Sequence, residues 1–289
     1  MSSQRICAVA VSVALAGAVE LASARSQGLP VVSFEPSTLQ PGDVARIDVG
    51  GIAADERITG SAFGQELAFH FDEPQGKWRA LAGIDLDVEP GEYALRIERN
   101  GPTLTRTLRV APKQFRVRRL RVPGGFVDPS PDALEQIARD SAALAAAYAR
   151  VSPRRWAGKF VLPVDGKPSS NFGTRSIYNG QPRSPHSGVD FAARTGTPIR
   201  AANHGEVVIA EPMYFTGNTI VIDYGDRLFS VFAHLSELHA KVGDEVEPST
   251  IVGLVGATGR VTGPHLHWTV RLNGARVDPL SLVAATDGW

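Results

Sequence analysis

The sequence predicts a mainly β protein, with an N-terminal small β-sandwich, a connecting helix and a C-terminal antiparallel β-sheet domain. Apolar and polar residues alternate in short runs over the first hundred positions, one helical pattern follows, and strand-like runs return beyond Pro153. A chain of 289 residues, 43% of them hydrophobic, is long enough for two modest packed domains. Its 30 basic and 30 acidic residues balance, so the composition gives no reason to expect a nucleic acid partner.

Residues 1–24 have the composition of an export signal. Arg5 supplies a positive charge, residues 6–19 form an apolar run, and small residues then predict cleavage after Ala24. The run is shorter than a normal membrane span and Glu20 interrupts it, which favours a removable signal over a permanent anchor. We therefore expect an exported protein, periplasmic or secreted, with no stable membrane anchor after cleavage.

The only cysteine of the chain, Cys7, lies within this signal. The residues before it do not form the small-residue site that precedes a lipid-modified cysteine, so a lipoprotein anchor is not expected. After cleavage the protein would contain no thiol. We expect its stability to come from burial, without disulfides.

Residues 30–112 carry the pattern of a small antiparallel β-sandwich. In residues 45–49 and 93–97 every second residue is apolar, and turn residues such as Gly50 and Pro90 separate the runs. This spacing resembles a bacterial immunoglobulin-like module without its inter-sheet disulfide. No cluster with chemistry of its own is predicted in this part of the chain.

Residues 113–158 are predicted to form a basic linker followed by the connecting helix. The basic residues could contact an anionic polymer of a bacterial envelope, or they could form a solvated strand edge that avoids pairing with other edges. We favour the strand edge. The cations are Lys113, Arg116, Arg118, Arg119 and Arg121.

The helix is predicted to begin after Ser130, a suitable N-cap, with Pro131 in its first turn and its end near Arg150. We expect it to pack as a strut between the two domains. Its apolar residues at helical spacing are Leu134, Ile137, Leu144 and Tyr148.

Residues 159–285 are expected to be nearly all β, because glycines and prolines divide them into short strand-like runs and no second helix of comparable strength is predicted. The predicted strands are 205–210, 219–224, 229–234, 251–255 and 266–272.

Two histidines lie two positions apart in the last of these strands. Because side chains alternate along a strand, His265 and His267 share one face, and Leu266 and Trp268 take the other. The rise per residue separates the two histidines by about 6.5 Å. One of them can therefore bind a metal while the other reaches water bound to it.

A histidine and an aspartate four positions apart form a second candidate pair. A flat strand would hold His186 and Asp190 about 13 Å apart, so a turn around Ser187-Gly188 is needed for them to share an ion. With His267 they would supply two nitrogens and one oxygen at roughly 2.0 to 2.2 Å, leaving a fourth position for water. An open position indicates a catalytic site, and the lack of sulfur ligands excludes iron–sulfur and thiolate–copper centres.

Two more histidines differ in their context. His234 lies near the end of a predicted strand, where its side chain can face a groove, although such a histidine alone is more often at the surface or in the interior. His204 is left out of the site because we expect it to be exposed.

Four segments together resemble, in the same order, the lysostaphin/LytM-type metallopeptidases. The resemblance extends over about 120 residues, from Phe160 to Val283. The segments are Asn171-Phe172-Gly173-Thr174-Arg175; His186-x-x-x-Asp190 with Phe191-Ala192-Ala193 and Gly196-Thr197-Pro198; Phe232-Ala233-His234-Leu235-Ser236; and Thr258-Gly259 through Gly263-Pro264-His265-Leu266-His267.

The resemblance implies an enzyme that hydrolyses peptide bonds of bacterial peptidoglycan with one Zn²⁺ per chain. It also implies that His186, Asp190 and His267 bind the zinc. His265 and His234 would act on the attacking water, the oxyanion and the departing amine. We expect His265 to lie closer to the water because it shares a face with His267. The choice between a cross-link and a stem-peptide bond stays open.

The sequence lacks the features of two other functional classes. The glycines of residues 253–263 lack the Gly-Lys-Ser/Thr ending of a phosphate loop. Lys241 does not have the hairpin context that a biotinyl or lipoyl carrier requires. A non-catalytic peptidoglycan-binding or amidase-activating protein that retains the site is the alternative to an enzyme.

The groove around the site gives further expectations. Residues 176–184 and 211–217 are its expected walls. In similar enzymes upstream segments can cover the groove, so the N-terminal region is a candidate for occluding it, with Asn171 or a residue of the first domain approaching the zinc. Peptidoglycan peptide is the expected partner. The oligomeric state is open, with a monomer favoured.

Overall fold

The computed structural model describes residues 30–121 and 130–289. The predicted export signal, including Cys7, lies outside the described residues, as do residues 122–129 of the predicted linker. Within the described part the predicted mainly β class is confirmed, with 21 strands and two helices. Neither of these helices combines the length and apolar character needed to cross a membrane.

The N-terminal part contains eight antiparallel strands: β1 (Val31–Glu35), β2 (Val44–Gly50), β3 (Thr59–Ala62), β4 (Gln65–Leu67), β5 (His70–Asp72), β6 (Lys77–Gly83), β7 (Gly91–Glu98) and β8 (Leu104–Val110). They form two four-stranded sheets in the orders β1-β2-β6-β5 and β4-β3-β7-β8. Ile47 and Ala80 of the first sheet share one core with Leu95 and Leu108 of the second, as in a sandwich. The immunoglobulin-like resemblance stays a prediction.

The other face of the first sheet packs against the C-terminal part of the chain. Val44 and Leu81 on this face belong to the C-terminal core. At the rim, the Arg276 guanidinium donates to both carboxylate oxygens of Asp85, at 2.6 and 3.1 Å. The two parts are therefore joined by buried apolar contacts and by a bidentate ion pair. The limits of the predicted domains stay predictions.

Thirteen further strands follow: β9 (Val117–Leu120), β10 (Pro168–Ser170), β11 (Arg175–Tyr178), β12 (Gln181–Pro182), β13 (Gly188–Phe191), β14 (Pro198–Arg200), β15 (Gly205–Met213), β16 (Gly217–Asp223), β17 (Leu228–Leu238), β18 (Glu245–Val246), β19 (Ile251–Val255), β20 (Leu266–Leu272) and β21 (Ala275–Val277). The main sheet runs β10-β13-β20-β17-β16-β15-β18, with β14, β19 and β21 alongside. A small sheet has the order β12-β11-β9. Trp268, Phe232 and Tyr224 are fully buried in the core of the main sheet.

The connecting helix α1 (Pro131–Tyr148) begins as predicted, because the Ser130 side chain accepts a hydrogen bond from the Ala133 amide at 3.3 Å. It packs against the C-terminal sheet, where the rings of Tyr148 and Phe229 meet edge to face with centroids 5.6 Å apart. This position differs from the expected strut between domains. Leu134 is 55% exposed, so the periodicity predicted the helix but not the whole of its buried face.

A short second helix, α2 (Pro279–Ala285), follows the last strand. The Asp278 side chain caps it by accepting from the Leu280 amide at 2.9 Å. Its seven residues span too few turns to give a periodic pattern in the sequence. The five predicted C-terminal strands are all present, with β15 and β17 longer than predicted.

Candidate metal centre

Two neighbouring strands bring a carboxylate and an imidazole together. In the antiparallel pairing of β13 with β20, Asp190 lies directly opposite His267, so both side chains extend from the same face. Gly188 makes this pairing close: a Cβ added there would lie 2.3 Å from the Trp268 carbonyl oxygen. The absence of a side chain at Gly188 therefore allows the two strands to approach closely enough to form the site.

His186 reaches the same place from just before β13. The predicted turn around Ser187-Gly188 is absent, since Gly188 already belongs to the strand. Instead, the loop before β11 holds the backbone of His186, which accepts from the Gly173 amide at 2.7 Å and donates to the Thr174 carbonyl at 3.0 Å. Long-range contacts to this loop replace the local turn that the sequence analysis predicted.

The ring of His186 is also oriented by that loop. Its Nδ1 lies 3.1 Å from the Asn171 carbonyl oxygen, which accepts the proton on this nitrogen. Nε2 is then the nitrogen that faces Asp190. Asn171 thus contacts a candidate ligand through its backbone carbonyl, and its approach to a metal stays a prediction.

The three predicted ligand atoms converge. Asp190 Oδ1 lies 3.0 Å from His186 Nε2 and 2.7 Å from His267 Nδ1, and these two nitrogens are 3.0 Å apart. This group can hold a metal ion. Tetrahedral zinc with bonds of 2.0 to 2.2 Å spaces its ligand atoms about 3.4 Å apart, so the three atoms need to separate by only about half an ångström. Two imidazoles and one carboxylate are a donor set that zinc accepts.

Electrostatics favours the protonation states that metal binding needs. Burial by itself would raise the pKa of Asp190, but its close polar contacts with the imidazoles of His186 and His267 outweigh burial and lower the pKa. Burial lowers the pKa of His267, against the opposing hydrogen bond to Asp190. At neutral pH the site therefore offers an ionised carboxylate and an uncharged imidazole, as a metal requires.

His234 and His265 lie beside this group. His234 is 7% exposed, and its Nδ1 donates to the Thr258 carbonyl at 2.9 Å. His265 Nδ1 donates to the Gly263 carbonyl at 2.9 Å, and its Nε2 is 3.8 Å from Asp190 Oδ1. The centroids of the two rings are 4.8 Å apart. The structure thus brings all five predicted residues together and leaves His204 exposed, as expected.

The backbone aims His234 into the site. The paired register of β17 with β20 ends at Ala233, opposite His267, and His234 then has a positive φ of 68°. Its amide donates to the Thr216 carbonyl at 2.7 Å, which holds this bend. Burial lowers the pKa of His234 to about 4, although the bond to Thr258 acts in the opposite direction. His234 is therefore uncharged at neutral pH.

A groove passes over the five residues. Its expected walls contribute Ser176 and Tyr178 on one side and Phe215 and Thr216 on the other. Sequence reasoning missed two other lining segments, residues 260–262 and strand β9. The basic residues were the only signal for β9, and they do not indicate that it pairs in parallel with β11, far along the chain.

Comparisons with known proteins assign the chain to a family. Peptidase family M23 matches residues 184–279. A crystal structure of a Pseudomonas aeruginosa protein assigned to peptidase M23 is 35% identical, covers 85% of this chain and 95% of its own, and superposes with a TM-score of 0.69. Because that relative matches over nearly its whole length, the chain belongs to peptidase family M23.

Curated relatives are similar over a shorter stretch. Peptidoglycan DD-endopeptidase ShyA of Vibrio cholerae is 40% identical over 121 residues, which is 41% of this chain and 28% of that protein. DD-carboxypeptidase/endopeptidase Mpg of Neisseria meningitidis is 39% identical over 101 residues, or 35% of this chain and 23% of that one. The matched region thus spans about a quarter of the length of these relatives.

Proposed function

We propose that this protein is an exported zinc metalloendopeptidase that hydrolyses peptide cross-links or stem-peptide bonds of bacterial peptidoglycan. The observation that carries the proposal is the convergence of His186 Nε2, Asp190 Oδ1 and His267 Nδ1 to within 3.0 Å of one another. The names of the curated relatives support peptidoglycan as the substrate.

These three residues would hold one zinc ion per chain. When bound, zinc polarises a carbonyl and lowers the pKa of its water towards about 7. The Asn171 carbonyl fixes the His186 ring by accepting its Nδ1 proton, so that Nε2 keeps its lone pair for the metal.

His265 would move the proton. Because its Nδ1–H donates to the Gly263 carbonyl, the lone pair of Nε2 is available at the site. It would accept a proton from water as the new C–O bond forms, and return it to the amine nitrogen as the C–N bond breaks. His234, uncharged and held by Thr258, presents its own Nε2 and would orient the water.

The rest of the chain fits an exported enzyme. We assign residues 1–24 to the signal, 30–112 to the N-terminal sandwich, 113–158 to the basic linker and helix, and 159–285 to the peptidase domain. Peptidoglycan lies outside the cytoplasm, so export would place the enzyme at its substrate. Occlusion of the groove by the N-terminal region stays a prediction.

The test is cleavage of defined muropeptides by the mature protein, with the products identified by mass spectrometry and zinc measured in the same samples. His186→Ala and Asp190→Ala should lose both zinc and activity. His265→Ala should keep zinc and lose activity by at least about a hundredfold, the size of a general-base contribution. The control His204→Ala, at an exposed histidine, should keep both.

Two results would count against the proposal. Zinc binding by the wild-type protein without any cleavage would favour the non-catalytic peptidoglycan-binding or amidase-activating alternative. Undiminished activity of His265→Ala would remove that residue from the reaction.

A further inference from the structure

Strand β9 places one of its arginines at the groove. In its parallel pairing with β11, Arg118 lies opposite Ser176. Arg118 is half-buried and lines the groove, whereas Arg119, the next residue along the strand, is exposed. β9 is an edge strand, so the strand-edge interpretation suits Arg119 but leaves the position of Arg118 unexplained.

The guanidinium of Arg118 is held in place. Its Nε donates to Ser176 Oγ at 2.8 Å, and Ser176 is only 7% exposed. An arginine fixed through Nε can still present its two terminal nitrogens, which bind a carboxylate through two parallel hydrogen bonds. Among the described residues no carboxylate forms an ion pair with Arg118, whereas Lys113 of the same basic segment pairs with Asp43 at 3.3 Å.

The groove around Arg118 has a positive lining. Arg183 and Arg260 also line it, and the Arg260 guanidinium lies over the Phe215 ring, 4.3 Å from its centroid. Among the described lining residues the only acidic one is Asp190, a candidate metal ligand. Since none of the described carboxylates pairs with Arg118, its guanidinium favours an anionic ligand in this part of the groove, close to the metal centre.

We propose that Arg118 is a specificity-determining residue that binds a free carboxylate of the peptide substrate next to the scissile bond. The inference rests on the proposed function and adds that the preferred substrate is an acidic peptide. Arg118 lies outside residues 184–279, which match the peptidase family. Recognition of the carboxylate would thus come from an upstream strand added to the edge of the small sheet.

The test uses two synthetic cross-linked peptides that differ only in whether the carboxylates flanking the scissile bond are free or amidated. The wild-type enzyme should have the higher kcat/KM for the free-carboxylate peptide. Arg118→Gln should lower that value about tenfold and change the value for the amidated peptide less than about twofold. Arg118→Lys should recover part of the loss, since it restores the charge without the paired geometry.

Arg119→Gln is the matched control, because it removes the same charge from the exposed side of β9 and should behave as wild type. Zinc content should be equal in all these proteins. An equal loss on both peptides would assign Arg118 a purely structural role, and no loss on either would also overturn the inference.

A separate measurement keeps this inference distinct from the proposed function. If the zinc-loaded wild-type protein cleaved neither peptide, the proposed function would fail, and calorimetric binding of the same peptides would decide the role of Arg118. Tighter binding of the free-carboxylate peptide by wild type than by Arg118→Gln would support the role. Equal binding of that peptide by both proteins would contradict the proposed role of Arg118.

Discussion

At His234, burial sets the charge of a side chain that the proposed reaction needs uncharged. The pKa falls to about 4, against an ordinary value of 6.5, because the ring is removed from water. Between these two values the unfolded chain binds a proton at this position and the folded protein does not. The folded state therefore loses stability as the pH falls from about 6.5 to about 4.

For the metal-free protein we predict that His234→Gln makes the free energy of unfolding less dependent on pH across this window. The wild-type loss due to His234 should be on the order of 3 kcal/mol, from about 1.36 kcal/mol for each pKa unit. Denaturant titrations at several pH values measure it. His204→Gln, at an exposed histidine, is the control, and an unchanged slope in His234→Gln would contradict the stated cause.

Residue types and spacing predicted which side chains take part in the site, but not how they are held. The sequence segments around His186, Asp190 and His267 were sufficient to expect a common ion. The support for His186 comes from backbone groups of residues 171–174, and backbone hydrogen bonds of this kind leave no side-chain signature in a single sequence.

At the scale of elements, the metal centre depends on how closely β13 approaches β20. Gly188 lies opposite Thr269 in this pair, and a methyl group there would meet the Trp268 backbone, which cannot move as a flexible side chain can. Strand β13 would have to shift away, and Asp190 would shift with it.

We predict that Gly188→Ala lowers the free energy of unfolding by about 2 kcal/mol, the usual range for overpacking, and weakens zinc binding. Chemical denaturation and zinc titration measure the two effects. Gly50→Ala is the matched control, because Gly50 also lies in a strand and has no atom within 4 Å of an added Cβ. Wild-type zinc affinity in Gly188→Ala would show that the site tolerates a displaced strand.

The helix and the strands that periodic patterns predicted are present in the structure, since alternation and helical spacing are local properties. Helix α1 and strand β20 are examples, with bounds close to those expected. The pairing of β9 with β11 was not predictable in the same way. It joins segments on either side of α1, and no pattern within β9 specifies its partner.

At the scale of the whole molecule, the interface between the N-terminal sandwich and the peptidase part is buried like a hydrophobic core, and it includes Val44 and Leu81. Strands β2 and β6 carry charged residues that alternate with apolar ones, a pattern typical of a strand with one solvated face. Asp48 and Arg79 are nevertheless 9% and 3% exposed. They are buried as pairs, with Lys77 2.7 Å from Asp48 and Asp72 2.5 Å from Arg79. The alternation of charged and apolar residues therefore did not indicate that this face of the sandwich packs against the C-terminal part of the chain.

We predict that the two parts unfold together in one calorimetric transition. The substitution Arg276→Gln should lower the free energy of unfolding of the protein by about 2 kcal/mol, because it removes charged hydrogen bonds to Asp85. Arg109→Gln breaks a largely exposed pair with Glu92 and should change stability by less than about 1 kcal/mol. Two separate transitions in the wild-type protein would contradict a shared core.

The same ion pair has a defined pH dependence. Burial alone would raise the pKa of Asp85, but the bonds from Arg276 outweigh it and hold the pKa below the ordinary 3.8. The contribution is thus present above that pH and is lost as the pH falls through the lowered value. The difference between wild type and Arg276→Gln should accordingly shrink only in strong acid.

X-ray absorption at the zinc edge of the zinc-loaded protein tests directly whether His186, Asp190 and His267 bind zinc together. We predict one zinc per chain with two imidazole nitrogens and one carboxylate oxygen at roughly 2.0 to 2.2 Å, together with a light atom from solvent. His186→Ala should lose this signal. Failure of the wild-type protein to bind zinc, or an unchanged zinc environment in His186→Ala, would contradict a zinc site formed by these three residues.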